Sequence, residues 1–142
     1  MKRFISAAWA AVSLASAALA VSAASAGTVT VTLTGVELRP GQVNVALATR
    51  NQFLRGGTYT AKVSPTAGAT TVTFSDVAPG DYALMATHDE NGNGRMDLGL
   101  MGPTEGFALS NQPGPLRGFP RFERHRFTVG SAPVTITAPM HY

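Results

Sequence analysis

Thr28-Val29-Thr30-Val31-Thr32-Leu33-Thr34 alternates apolar and hydroxyl-bearing residues without a break. A period of two sends successive side chains to opposite faces, so this stretch reads as a half-buried β-strand with Val29, Val31 and Leu33 inward. The same rhythm returns along the chain. Gln42 to Thr49 places Val43, Val45 and Leu47 on one face, and Thr70 to Val77 does so with Val72 and Phe74. Asp81 to His88 puts Tyr82, Leu84 and Ala86 on one face and Ala83 and Met85 on the other, so both faces are apolar and the strand reads as central. Tyr59 to Val63 reads as a short edge strand. Arg124 to Val129 groups His125, Phe127 and Val129, and Val134, Ile136 and Ala138 mark a last strand. Gly35, Arg39-Pro40-Gly41 and Ala78-Pro79-Gly80 supply turns between them. No amphipathic helix is legible. About seven short strands separated by turns predict an all-β fold, an antiparallel β-sandwich of the immunoglobulin type.

Two stretches stand outside that pattern. Met1-Lys2-Arg3 is a short positive start, and Phe4 to Leu19 is rich in Ala, Val and Leu. Ala24-Ser25-Ala26 then offers the small-x-small pattern of a signal-peptidase site, as does Ala18-Leu19-Ala20. Residues 1–26 are expected to be a signal peptide. Residues 27–142 would form a single domain, secreted or periplasmic, with no transmembrane segment after cleavage. The second stretch, from Asp97 to Phe122, has no period and carries Pro103, Pro113, Pro115 and Pro120. It is expected to be a long loop, and such loops in compact domains are often functional.

Composition narrows the classes further. Eleven basic residues face eight acidic ones, and Lys2 and Arg3 lie in the expected leader. The remaining balance is close to neutral, with no basic stripe interleaved with aromatics, which argues against a nucleic-acid partner. The chain has no cysteine, so an exported domain of this kind must be held by its core, with or without a bound ion.

Chemistry is spelled out in one place, His88-Asp89-Glu90-Asn91-Gly92-Asn93-Gly94-Arg95-Met96-Asp97. Asp89, Asn91 and Asn93 alternate, Gly94 follows, and Asp97 comes after. These are the spacings of the first three-quarters of an EF-hand calcium loop. Calcium takes six to eight oxygens, which a short loop supplies only by curling around the ion. The expected ligands are Asp89, Asn91, Asn93, the Arg95 main-chain carbonyl and Asp97. Where an EF-hand has its bidentate Glu, this chain has Leu100. Glu105, reaching back from the long loop, is the candidate to replace it, with Glu90 second. An oxygen-only site suits Ca2+ better than Zn2+, and affinity in the extracellular range of about 10⁻⁴–10⁻³ M is expected. The competing reading is a metal-free turn, because Asn-Gly pairs are good turn formers.

Pro79-Gly80-Asp81-Tyr82-Ala83, the 88–97 loop, Gly102-Pro103-x-Glu105-Gly106-Phe107, Ser110-Asn111 and Gly118-Phe119-Pro120-x-Phe122 together resemble an uncharacterised family of secreted bacterial proteins. The resemblance implies one export-targeted sandwich akin to prealbumin-like or carboxypeptidase-regulatory-type domains, and no established activity. Leu98-Gly99 stand where the family usually has a polar residue, and Arg124 where it has an acid. Prealbumin-like folds include a purine-pathway hydrolase with a Tyr-Arg-Gly-Ser tail, whereas this chain reads Met140-His141-Tyr142 there.

No nucleophile elbow, paired catalytic carboxylates or phosphate-cradling loop is legible. His88 reads either as a base beside Asp89 or as a half-buried strand-end histidine bonded to main chain. Phe107, Phe119 and Phe122 read either as pins holding the long loop to the core or as an exposed platform for sugar or peptide. Tyr82 fits a tyrosine corner. The expected function is therefore an exported, non-enzymatic sandwich with a Ca2+-type loop, binding a protein or glycan at the cell envelope. The alternatives are a metal-free structural envelope protein, or a hydrolase using His88.

Overall fold

The computed structural model describes residues 24–142. The expected leader lies almost wholly outside them. Among these described residues ten strands run as β1 (Gly27–Val36), β2 (Gln42–Ala48), β3 (Tyr59–Val63), β4 (Gly68–Val77), β5 (Gly80–Asp89), β6 (Leu98–Gly99), β7 (Gly102–Pro103), β8 (Gly106–Leu109), β9 (Arg126–Val129) and β10 (Val134–Pro139). One helical turn, α1 (Phe122–His125), precedes β9. A three-stranded sheet has the order β10–β1–β4, and a larger sheet the order β3–β2–β5–β8. Strand β9 pairs with the first half of β5, Gly80 to Ala83, and β8 with its second half, Met85 to His88. The two sheets face each other across Val29, Val31, Leu33, Val43, Val45, Leu47, Phe74 and Leu84, all buried. This is an all-β sandwich. Each such Val or Leu contributes about 1.5–3 kcal/mol by leaving water, which a chain without disulfides relies on.

The alternating stretches fold as their period dictates. In β1 every second residue from Gly27 to Leu33 is buried, and β2 buries Val43, Val45 and Leu47. β5 is central, hydrogen-bonded on both edges. Tyr82 Oη donates to the Ala78 carbonyl at 2.9 Å, tying the preceding turn to the strand as a tyrosine corner does.

Three expectations are corrected. The sandwich is not wholly antiparallel: β10 lies parallel to β1, with Val29 opposite Val134 and Leu33 opposite Ala138. The stretch 97–122 is not one loop. It holds the small β6–β7 hairpin and the sheet strand β8, whose four residues are all buried. A strand buried on both faces shows no alternation, so its period was invisible. Finally, the stretch from Arg124 begins as a helical turn rather than a strand. Phe122 and His125, three residues apart, are both buried, and a helical turn is what brings an i, i+3 pair to one side. Phe53 packs on both rings, with centroids 5.9 Å from Phe122 and 5.8 Å from His125.

Candidate functional site

Strand β5 delivers Asp89 to the outer face of the larger sheet, in step with Met85 and Thr87. Asn44 on the adjacent strand β2 shares that face, and its Nδ2 donates to Asp89 Oδ2 at 3.3 Å. The turn before β2 also reaches this point. Gly41 has φ +91°, and a Cβ there would lie 2.0 Å from the Asp89 carbonyl oxygen. Only glycine allows the two backbones this proximity.

From Asp89 the chain curls. The Asn93 N–H donates to Asp89 Oδ1 at 3.1 Å and to Asn91 Oδ1 at 3.0 Å. The Gly94 N–H donates to Asp89 Oδ2 at 2.9 Å, and the Arg95 N–H to Asn93 Oδ1 at 2.8 Å. Gly92 and Gly94, both at φ +73°, make the curl possible. Asp97 closes it: Asn91 Nδ2 lies 2.5 Å from Asp97 Oδ2, and Asn93 Nδ2 lies 2.8 Å from Oδ1 and 3.0 Å from Oδ2. Asn91, Asn93 and Asp97 thus meet at their tips, while Asp89 sits buried beneath them.

Glu105 does reach back from the segment before β8. It is buried, with Oε1 accepting from the Glu90 N–H at 3.1 Å and Oε2 from the Asp97 N–H at 3.2 Å. It ties the two mouths of the loop together, and each carboxylate oxygen keeps a second lone pair. The Glu90 carboxylate pairs with Arg39 at 3.1 Å. The Arg95 side chain is exposed. Among the described residues no three His, Asp or Glu side chains gather closely enough to hold an ion between them. Any cation shell here would therefore draw on amide and main-chain oxygens as well as carboxylates.

Burial pushes the Asp89 carboxyl up. The bonds donated by the Gly94 N–H, the Asn44 amide and the N–H groups of Gly92 and Asn93 outweigh it and hold the group below the ordinary aspartate value. The sign follows from linkage. A carboxyl more acidic in the folded state contributes its full stability above the unfolded value of about 3.9 and loses it as pH falls through the folded value. In calcium-free buffer, amide exchange at Asn93 and Gly94 is expected to stay protected down to about pH 4 and to accelerate below it, beyond the intrinsic pH dependence. Carbon NMR should show Asp89 titrating below a free aspartate. A titration at or above the free value would contradict this electrostatic account.

His88 is fully buried. Its Nδ1 lies 2.8 Å from Tyr142 Oη and its Nε2 3.1 Å from the Pro40 carbonyl. A carbonyl only accepts, so Nε2 carries the proton and Nδ1 accepts from Tyr142 in the neutral ring. Both nitrogens are thus engaged. His125 is also buried, with Nδ1 donating to the Ser110 carbonyl at 2.8 Å. The two histidines share none of these hydrogen-bond partners. Phe107 and Phe122 are buried and pin their segments to the sheet, whereas Phe119 is 82% exposed. Sequence reasoning missed Asn44 and Gly41, which come from a different strand and turn. The Pro40-Gly41 pair signalled a turn but not its neighbour.

The fold and loop define a class: an all-β sandwich whose central strand ends in an Asp/Asn/Gly loop. Residues 31–137 match the model of a family described as "Uncharacterized protein conserved in bacteria (DUF2141)", and the chain belongs to that family. No curated protein and no solved structure matches it. Among the described residues, no helix is long and apolar enough to cross a membrane.

Proposed function

We propose that this chain is an exported, non-enzymatic binding module of the bacterial envelope, in which the 89–97 loop takes a calcium ion. The ion shapes the adjoining surface, which meets a protein or glycan partner. Export rests on the leader-like residues 1–26, and kinship with prealbumin-like and carboxypeptidase-regulatory-type domains belongs to the same proposal.

The observation that carries the calcium reading is the meeting of the Asn91 and Asn93 amides at the Asp97 carboxylate, each 2.5–3.0 Å from one of its oxygens. A half-turn of each amide exchanges its nitrogen for its oxygen, giving up the bonds that Asn91 Oδ1 and Asn93 Oδ1 accept from the Asn93 and Arg95 N–H groups. Three side chains would then offer oxygens toward one point, beside a buried Asp89. Asn44 gives further support. Its Oδ1 is the one buried side-chain acceptor without a hydrogen-bond partner among the described residues, and its amide nitrogen already touches Asp89. An oxygen-seeking cation uses such an acceptor. On this reading the ion would draw its oxygens from Asp89, Asn91, Asn93, Asp97, the Arg95 carbonyl and Glu105, with Asn44 Oδ1 as a further acceptor beside Asp89.

The metal-free reading has its own support, because in the present arrangement the amide nitrogens already satisfy Asp97. Calcium at about 10 mM should raise stability over chelator by about 1.4–2.7 kcal/mol for a Kd of about 10⁻³–10⁻⁴ M. That is a melting shift of roughly 5–10 °C, and it should vanish in Asp97→Ala, whose side chain is only half-buried. A melting curve identical in calcium and chelator, with no heat in a calorimetric titration, would establish the metal-free turn instead.

A further inference from the structure

The outer face of the larger sheet is partly walled by loops. The segment around Leu54–Gly57 and the segments between Gly94 and Pro120 rise around it and border an open-sided cleft of about 990 Å³. This lies at the upper end of the range of small-molecule sites, about 300–1,000 Å³. Its floor carries an apolar strip, Ala46 from β2, Met85 from β5 and Leu109 from β8, flanked by Asn44, Thr60 and Thr87. Its rim carries large apolar side chains left in water, Leu98 at 73% and Phe119 at 82% exposure. Single exposed apolar residues need no explanation, but several converging on one apolar hollow do.

Charge is the second, independent observation. Three cations line the cleft, Arg55, Lys62 and Arg95, and no Asp or Glu does. Among the described residues none of the three forms an ion pair, whereas Arg39, Arg50 and Arg126 each have a carboxylate partner. An apolar hollow bordered by unpaired cations is complementary to a molecule with a long apolar body and one anionic end.

From these features the geometry points to a binding site for a single-chain amphiphilic anion, of the long-chain fatty-acid class, with its chain along Ala46, Met85 and Leu109 and its carboxylate among Arg55, Lys62 and Arg95. The inference goes beyond the calcium reading and does not require an ion. Loop residues Gly94 and Arg95 belong to both, so calcium is expected to tune the cleft rather than create it.

The test uses the purified protein with laurate, and with dodecanol as the same chain bearing a neutral head, each titrated below its aggregation concentration in calcium and in chelator. Laurate should bind with a stoichiometry of one under both conditions, about tenfold more tightly than dodecanol, and its affinity alone should weaken with salt. Lys62→Ala with Arg55→Ala, both exposed positions, should remove most of laurate's advantage over dodecanol, Arg95 keeping the remainder. Thr87→Trp, which fills the floor from the outer face of β5, should abolish binding of both ligands. The double cation variant keeps the proposal testable if the tryptophan variant does not fold. Non-saturable laurate uptake, or laurate binding unchanged in both variants, would overturn the proposal. So would binding to phosphatidylglycerol vesicles without uptake of free laurate, since the apolar rim would then be a membrane-facing surface. Failure here leaves the calcium-dependent melting shift untouched, and loss of that shift leaves laurate binding in chelator untouched, so the two readings fail separately.

Discussion

Gly41→Ala is expected to lower the melting temperature by roughly 10–20 °C. Two costs combine at this position. The backbone sits at φ +91°, where an L-residue is strained by about 1–2 kcal/mol. The added methyl would also stand 2.0 Å from the Asp89 carbonyl oxygen and 2.7 Å from the Glu90 Cα. Both are main-chain atoms, the first in Asp89, which pairs with Gln42 in the β2–β5 ladder, and the second in the residue that follows it, so neither can rotate away. Together the costs come to about 3–5 kcal/mol, which for a domain of this size gives a shift of that order. Gly68→Ala is the internal control. Gly68 has φ +86°, but its Cβ would meet nothing within 4 Å, so it carries the strain without the collision and should lose only about 1–2 kcal/mol. Thermal melts of the two variants side by side decide the matter. Equal losses would mean that the backbones around Gly41 and Asp89 do not approach as described.

Asp89→Ala carries the second large effect. The buried carboxylate accepts from the Asn93 N–H, the Gly94 N–H and the Asn44 amide. Hydrogen bonds to a charged group contribute about 1.5–3 kcal/mol each where they are kept from water. The loop can partly reopen to solvent, so the net loss should fall at about 2–4 kcal/mol rather than at the sum. Asp89→Asn keeps one acceptor oxygen and should lose about half as much. Denaturant unfolding in chelator measures both without any contribution from ion binding. Amide exchange should further show Asn93 and Gly94 losing protection while the β1 and β2 amides keep theirs. An alanine variant as stable as the parent would mean that Asp89 does not organise the loop.

What the sequence discloses follows from range. Period-two alternation is local, so Val29 to Leu33, Val43 to Leu47 and Tyr82 to Ala86 announce their strands and their inward faces directly. The partner of a strand is not local. Nothing in Val134-Thr135-Ile136 says that it will lie parallel to β1, and nothing in the buried Gly106-Phe107-Ala108-Leu109 alternates. The candidate site divides along the same line. Asp89, Asn91, Asn93 and Asp97 come together because they are spaced to do so within one curl, and that much is readable. Glu105 was legible only as an acid in a segment long enough to return. Asn44 and Gly41 join Asp89 through the β2–β5 register, and the cleft arises where two distant segments stand over the outer face. The apolar second face of β5, from Ala83 and Met85, was the one written hint. It is consistent with centrality, and equally with a face roofed by loops.

The parallel seam between β1 and β10 sets the order in which the molecule can assemble. Its partners, Val29 with Val134 and Ala138 with Leu33, are separated by roughly a hundred positions, so closing it costs about 2 kcal/mol more chain entropy than closing a hairpin with a loop of about ten residues. The hairpins β2–β3 and β6–β7 can form early, whereas the three-stranded sheet is shut only when these distant segments find each other. Until then β1 presents a valine-rich ribbon with one flank of unsatisfied amides, open to self-association. Slow closure of this seam is therefore expected to lower recovery of intact protein as concentration rises.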